Sequence, residues 1–297
     1  LSVLRSEDSN RKLLNVGCGH CYHSEWTNID LVACGPDVRR HDLRRGLPYE
    51  DSSFDAVYHS HVLEHLAPEE ATSMLGHCYR VLRAGGVLRV VVPDLEGIAR
   101  TYLKTLESAL GDEDEWAVAN HQWMTLELLD QMTRRRRGGR MGMVMRQPDL
   151  PNQDFVRQRM GAEMDGPMVK HRRTMMMRLG RALRGARKHL ALAAVSMIEG
   201  AEGRAAYREG RFRNSGEIHR WMYDRVSLAR LLREVGFEEP MVCAADESRI
   251  PNFDSFQLDR VDGFARKPDS LYVEAIKPSA SRLLESDLTL STSSSAA

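Results

Sequence analysis

The chain has 297 residues, 42 % of them hydrophobic and 28 % charged, with 42 basic side chains against 42 acidic ones. This is the balance of a soluble globular protein, and the length suits one large domain or one domain with an insertion. The longest apolar run, Leu190 to Ile198, is about half of the ~18 residues a membrane span needs. The polar stretch Leu1 to Lys12 does not read as a secretory leader. Cys18, Cys21, Cys34, Cys78 and Cys243 are odd in number and unevenly spaced, as expected of reduced thiols in a cytoplasmic protein rather than a disulfide framework.

The zero net charge hides an asymmetry. Residues 1–133 carry 12 Lys/Arg against 21 Asp/Glu, whereas residues 134–190 carry 16 against 4 and hold nine of the fifteen methionines. The middle of the chain is therefore a distinct basic, Met-rich segment.

In chain order, apolar runs predict strands at 12–17 and 26–31, a short one at 38–41, then 54–59 after a turn-rich loop. Pro68-Glu69-Glu70 opens a helix that carries Met74, Leu75, Cys78, Tyr79 and Leu82 at helical spacing and is expected to stop at Gly85-Gly86. A fifth strand follows at 87–92, apolar except for Arg89, and Pro93-Asp94 closes it. Helical patterns cover 95–109, 113–132 and 190–210, with the less regular basic segment between the last two. An amphipathic helix at 225–235 ends on Gly236, and strands at 241–245 and 271–276 finish the pattern. The Ser/Thr/Ala-rich residues 279–297 read as disordered. Strands alternating with helices imply an α/β, Rossmann-like doubly wound sheet, mostly parallel and seven-stranded, with a helical basic insertion. The organisation expected is a core in two parts, 1–110 and 217–278, with the insertion over 111–216.

The carboxyl edge of such a sheet is where ligands bind. Here it gathers the turn Gly17-Cys18-Gly19, then Asp30, Asp42, the His59 to His65 region and Asp94. A glycine turn with an acid at the tip of the next strand suits a ribose-bearing cofactor. A nicotinamide dinucleotide does not fit: position 22 is Tyr22 instead of the third glycine, and Asp30 follows Gly19 by only 11 residues. Moreover, His20 to Glu25 cannot form a full crossover helix. Cys18-x-x-Cys21 with His20, His23 and Cys34 nearby lacks the second tight ligand pair of a structural zinc site, so no metal is expected.

The ordered segments Asn15-Val16-Gly17-Cys18-Gly19, Trp26 to Leu31, Asp42-Leu43, Phe54 to Val57, His61 to Leu66, Leu82 to Gly86 and Leu231 to Phe237 resemble the class I S-adenosylmethionine-dependent methyltransferases. The likeness is to the type 11 branch, and to its short-loop members associated with surface-glycan biosynthesis. The resemblance implies S-adenosylmethionine as cofactor. Asn15, Gly17, Cys18 and Gly19 would lie in the turn beneath its methionine part, Asp30 and Leu31 at the ribose, Asp42 and Leu43 beside the adenine, and Ser60 and His61 near the methyl group.

For a hydroxyl acceptor, the general-base candidates are His61, His65 and Asp94; Asp94 reads equally as a helix N-cap. His219, Trp221 and Tyr223 are expected to line the acceptor pocket, or else to anchor the insertion on the core. The acceptor expected is a sugar, glycan intermediate or other small metabolite, with RNA methylation or a non-catalytic binding module as alternatives. Nucleic acid is disfavoured, since Phe155 is the only aromatic residue between Met124 and Tyr207. Arginines interleaved with methionines, as in Arg172 to Arg178, suit peripheral contact of 134–190 with an anionic membrane surface or a solvated insertion.

Overall fold

The computed structural model describes residues 11–111, 114–165 and 175–279, in two compact units. Arg172–Thr174 of the Arg/Met run and the Ser/Thr/Ala-rich residues from 280 onward lie outside the described residues.

Among the described residues the first unit comprises 11–101, 157–163 and 220–279. Its sheet contains β1 (Leu13–Val16), β2 (Thr27–Asp30), β3 (Val38–Arg40), β4 (Phe54–Ser60), β5 (Leu82–Pro93), β6 (Glu238–Cys243) and, after a two-residue pair β7 (Arg260–Val261) and β8 (Phe264–Ala265), β9 (Ser270–Ile276). The order across the sheet is β3-β2-β1-β4-β5-β9-β6. The first five strands in that order pair in parallel, and β9 runs antiparallel to both β5 and β6. The expected mostly parallel, seven-stranded, doubly wound sheet is the fold observed.

Alternation along the strands divides the core. Leu14, Val16, Val57, Val90 and Val273 face a cluster shared with α1 (Pro68–Val81) and α7 (Arg225–Val235). Leu13, Ala56, Tyr58 and Tyr272 face the other side, where Trp26, Phe253 and Phe256 meet edge to face at 5.5 and 6.1 Å. Helix α7 starts where the Asp224 carboxylate accepts from the N–H groups of Val226 and Ser227, at 2.9 and 2.7 Å, and ends on left-handed Gly236.

Several boundaries differ from expectation, and for two of them the cause is visible. Helix α1 ends at Val81, four residues short of Gly85, because Leu82 is already extended and pairs with Phe54. Strand β6 stops at Cys243, because the carbonyls of Ala244 and Ala245 accept from the Arg89 guanidinium instead of continuing the ladder. As expected, no helix separates β1 from β2.

Arg89 is fully buried and sits 2.7 Å from Asp259 Oδ2 and 2.8 Å from Glu274 Oε1. Its guanidinium also lies over Phe253, 4.5 Å from the ring centroid. Tyr58 donates to Asp259 Oδ1 at 2.5 Å, while Ser248 and the Arg249 N–H donate to Glu274. This ion cluster holds the irregular connection between β6 and β9 onto the sheet.

The second unit comprises 102–156 and 164–219. It holds most of α2 (Leu95–Gly111), then α3 (Glu115–Thr133), the short α4 (Met141–Val144), the first half of α5 (Gln153–Met160), and α6 (Met175–Arg213), which is broken at Gly200 by a left-handed backbone. Trp123 and Met124 are buried within it, Trp123 donates to Glu127 at 3.0 Å, and Asn152 donates to Asn120 at 3.0 Å.

Candidate functional site

The turn after β1 is set by backbone geometry. The N–H groups of Gly17 and Cys18 both donate to Ile29 O, at 2.8 and 3.2 Å, which folds the turn over the end of β2. Gly17 is left-handed (φ +68°), and a Cβ there would lie 2.4 Å from Val62 Cγ2. Gly19 is also left-handed (φ +52°), but a Cβ there would meet nothing within 4 Å. The turn is therefore closed on one side and open on the other.

Asp30 joins turn and strand. Its Oδ2 accepts from Gly19 N–H at 3.0 Å and its Oδ1 from Val32 N–H at 2.8 Å. Each carboxylate oxygen keeps a second lone pair, enough to receive two vicinal hydroxyls. Leu31 beside it is half exposed. This half-open glycine turn facing a pre-oriented carboxylate fits the ribose and methionine parts of S-adenosylmethionine.

Asn15 sits elsewhere. Its buried amide donates to Cys21 O at 3.0 Å and to Asn28 Oδ1 at 3.1 Å, and Asn28 in turn donates to His23 O and Trp26 O. The pair shapes the short connection from beneath, so the Asn15 side chain braces the turn rather than lining its open side. Burial, with the Asp30 charge adding to it, pushes the Cys18 thiol up to about 12 and keeps it protonated. Asp42 caps the one-turn helix at 43–45; hydrogen bonds from Arg44 hold its carboxyl at about 2. Its oxygens accept from the Arg44 guanidinium at 2.9 and 2.7 Å, while Leu43 packs against the core.

Past β4 the chain makes a second sharp turn. Ser60 ends the strand, and His61 takes a left-handed backbone (φ +53°), unusual for a residue with a Cβ. Its N–H donates to Val91 O at 2.9 Å. The ring is bridged: Nδ1 lies 3.0 Å from Glu64 Oε1, and Nε2 lies 2.9 Å from Ser270 Oγ at the start of β9. Glu64 is fully buried, and His65 Nε2 is 4.0 Å from the same Oε1. Nδ1 is thus within ion-pair distance of a buried carboxylate and Nε2 within hydrogen-bond distance of a hydroxyl, so the ring is held from both sides. His59, two residues earlier, is wholly buried. Desolvation holds it at about 4 against a small opposing pull from Glu64, so it stays neutral.

The remaining candidates have other surroundings. The Asp94 side chain lies over the first turn of α2, where a Cβ on Gly97 would come within 2.6 Å of its Oδ2. Tyr223 is buried in the core and its hydroxyl is pushed up to about 12, by burial first and the Glu64 charge second. Trp221 is half exposed and its N–H reaches Glu64 O at 3.3 Å. His219 belongs to the second unit, where its N–H donates to Gln131 O at 3.0 Å.

The sequence places Glu64 among these histidines, three residues after His61, but assigns it no role of its own. Ser270 carried no signal in the sequence, being 209 residues from His61 and joined to it only by the β5–β9 pairing.

Comparison with solved structures gives partial likenesses. An Archaeoglobus fulgidus S-adenosylmethionine-dependent methyltransferase is 13 % identical, covering 90 % of this chain and 86 % of its own at a TM-score of 0.36. One from Methanosarcina mazei is 21 % identical, covering 33 % and 61 % at 0.28. The cyclase SpnF is 26 % identical, covering 29 % of this chain and 39 % of its own length at 0.25. No curated protein matches the sequence. Residues 22–90 match the methyltransferase type 11 family, described as a methyltransferase domain. Residues 22–90 thus carry the likeness to a methyltransferase domain, within a mostly parallel seven-stranded sheet. Among the described residues no helix is long and apolar enough to cross a membrane.

Proposed function

We propose that the protein transfers a methyl group to a hydroxyl of a sugar, glycan intermediate or similar small metabolite, with His61 as general base. The observation that carries this reading is the Glu64–His61 pair, 3.0 Å apart at the carboxyl end of β4. S-adenosylmethionine supplies an electrophilic methyl on its sulfonium. Gly17, Gly19 and Asp30 hold and orient it, and alignment of this kind is worth about 7–11 kcal/mol of the barrier. His61 Nε2 would take the acceptor O–H proton as the oxygen bonds to the methyl carbon, whose bond to sulfur breaks to leave neutral S-adenosylhomocysteine. Glu64 stabilises the imidazolium that results, and Ser270 steadies the ring until the acceptor displaces it. An amine acceptor that arrives neutral needs no such base, so the buried carboxylate favours an oxygen acceptor.

Titration calorimetry with S-adenosylmethionine is the first test, and no binding at high micromolar cofactor overturns the enzyme reading. Methyl transfer to a panel of hydroxylated metabolites then follows for His61→Gln, Glu64→Gln and the double variant. We expect kcat to fall roughly 10²–10⁴-fold in His61→Gln with cofactor affinity retained. Glu64→Gln should fall less, and the double variant no further than His61→Gln alone, because Glu64 acts through His61. Activity above a tenth of wild type in His61→Gln removes the base from the mechanism.

A further inference from the structure

The second unit contains an arginine turn whose construction the methyl-transfer reading does not use. Asp130, buried near the end of α3, accepts at its two carboxylate oxygens from the backbone N–H groups of Arg140 and Met141, at 2.8 and 3.4 Å. Its carbonyl accepts from Arg134 N–H at 2.8 Å. Between these anchors Gly138 and Gly139 are both left-handed, and a Cβ on Gly139 would fall 2.0 Å from Asp130 Oδ2. The loop backbone is thus pinned to the helix that precedes it, while Arg135, Arg136, Arg137 and Arg140 are exposed.

What the turn presents is directional. Arg137 pairs with Glu217 at 2.6 Å and Arg135 with Glu209 at 3.7 Å. Among the described residues Arg136 and Arg140 have no carboxylate partner for their guanidinium groups; Arg136 donates to the Met143 thioether. Both line two adjoining cavities, of about 530 and 600 Å³, which also share Thr125 and Leu126. Leu129 adds apolar surface to the first, and Met143 and Val144 to the second. Neither cavity has an aromatic wall, and Asp130, the one acid present, is spent on the backbone. Volumes of this size suit a small ligand, and paired guanidinium groups match phosphate oxygens in charge and geometry.

We propose that Arg136 and Arg140 form a binding site for a phosphate group carrying an alkyl chain, with phosphate between the guanidinium groups and chain along Leu126, Met143 and Val144. Binding alone reads this site, so it stands or falls separately from the acceptor chemistry above.

The test uses the full chain and dodecyl phosphate below its micelle concentration, followed by calorimetry. Dodecyl phosphate should bind at least tenfold more tightly than inorganic phosphate, and Arg136→Gln/Arg140→Gln should lose at least tenfold of that affinity. Arg137→Gln/Arg211→Gln removes the same charge from residues outside both cavities and should bind within twofold of wild type. Phosphatidylglycerol vesicles, against phosphatidylcholine vesicles, separate the two sources of such a headgroup. Capture lost in the Arg136/Arg140 variant identifies a bilayer lipid, and dodecyl phosphate binding without capture identifies a soluble ligand. Equal losses in the two double variants, or equal binding of uncharged dodecyl maltoside, overturn the proposal.

Discussion

Replacing Arg89 with methionine removes the cation from the buried cluster while keeping much of the volume. Asp259 and Glu274 would then be left charged in a dry interior; the three side chains are 0–3 % exposed. Breaking a buried ion pair in this way costs about 3–5 kcal/mol, most of it from the stranded partner. Two carboxylates lose their partner here, so the upper half of that range applies, about 4–5 kcal/mol. For a unit of this size each kcal/mol moves the midpoint by roughly 2–4 °C, giving a loss of about 8–20 °C. Urea denaturation followed by circular dichroism, with calorimetry for the midpoint, measures it. Arg89→Met/Asp259→Asn/Glu274→Gln carries no buried charge and should recover more than half of the loss. A single variant within 1 kcal/mol of wild type, or a triple variant no better than the single, would refute the reasoning.

Two further predictions separate sterics from charge. Gly17→Ala should lower stability by about 2–3 kcal/mol and S-adenosylmethionine affinity at least tenfold, since it combines a left-handed backbone with a clash against Val62. Gly19→Ala carries only the conformational cost of about 1–2 kcal/mol, so equal stability losses would remove the steric part of the argument. His59, buried and held at about 4, is protonated in the unfolded chain below its ordinary 6.5 but not in the native one. The unfolded state then binds the extra proton, so stability falls as pH drops from 6.5 towards 4, by about 3 kcal/mol in all. His59→Gln should flatten that limb in acid denaturation, and an unchanged slope would show that His59 is solvated in the native state.

Much of the sheet was legible because parallel strands buried on both faces write themselves as apolar runs, as in Leu13–Val16 and Phe54–Ser60. The amphipathic α7 with its left-handed Gly236 was equally plain. Arg89 stood out as the one charge in an apolar strand, but nothing local to it points to Asp259 or Glu274, 170 and 185 residues away. The same distance hid Ser270 from His61. Asn15 was misleading in a different way. Its place beside the glycine turn suggested ligand contact, yet a strand residue alternates faces, and this one turns inward to Asn28. Helix α1 ended early because the strand pairing of Leu82 outweighed the helix stop at Gly85.

The antiparallel β9 has a consequence for how the chain is made. Among the described residues it is the only strand partner of β6, and it closes the outer edge of β5, yet it follows β5 by more than 170 residues. During synthesis, Val90 to Val92 therefore present an unsatisfied ladder until residues 270–276 emerge. A nascent sheet with such an open apolar edge is a target for mispairing with other chains and for chaperone capture. Folding yield should accordingly depend on events at the last-synthesised strand of the sheet, far along the chain from the glycine turn after β1.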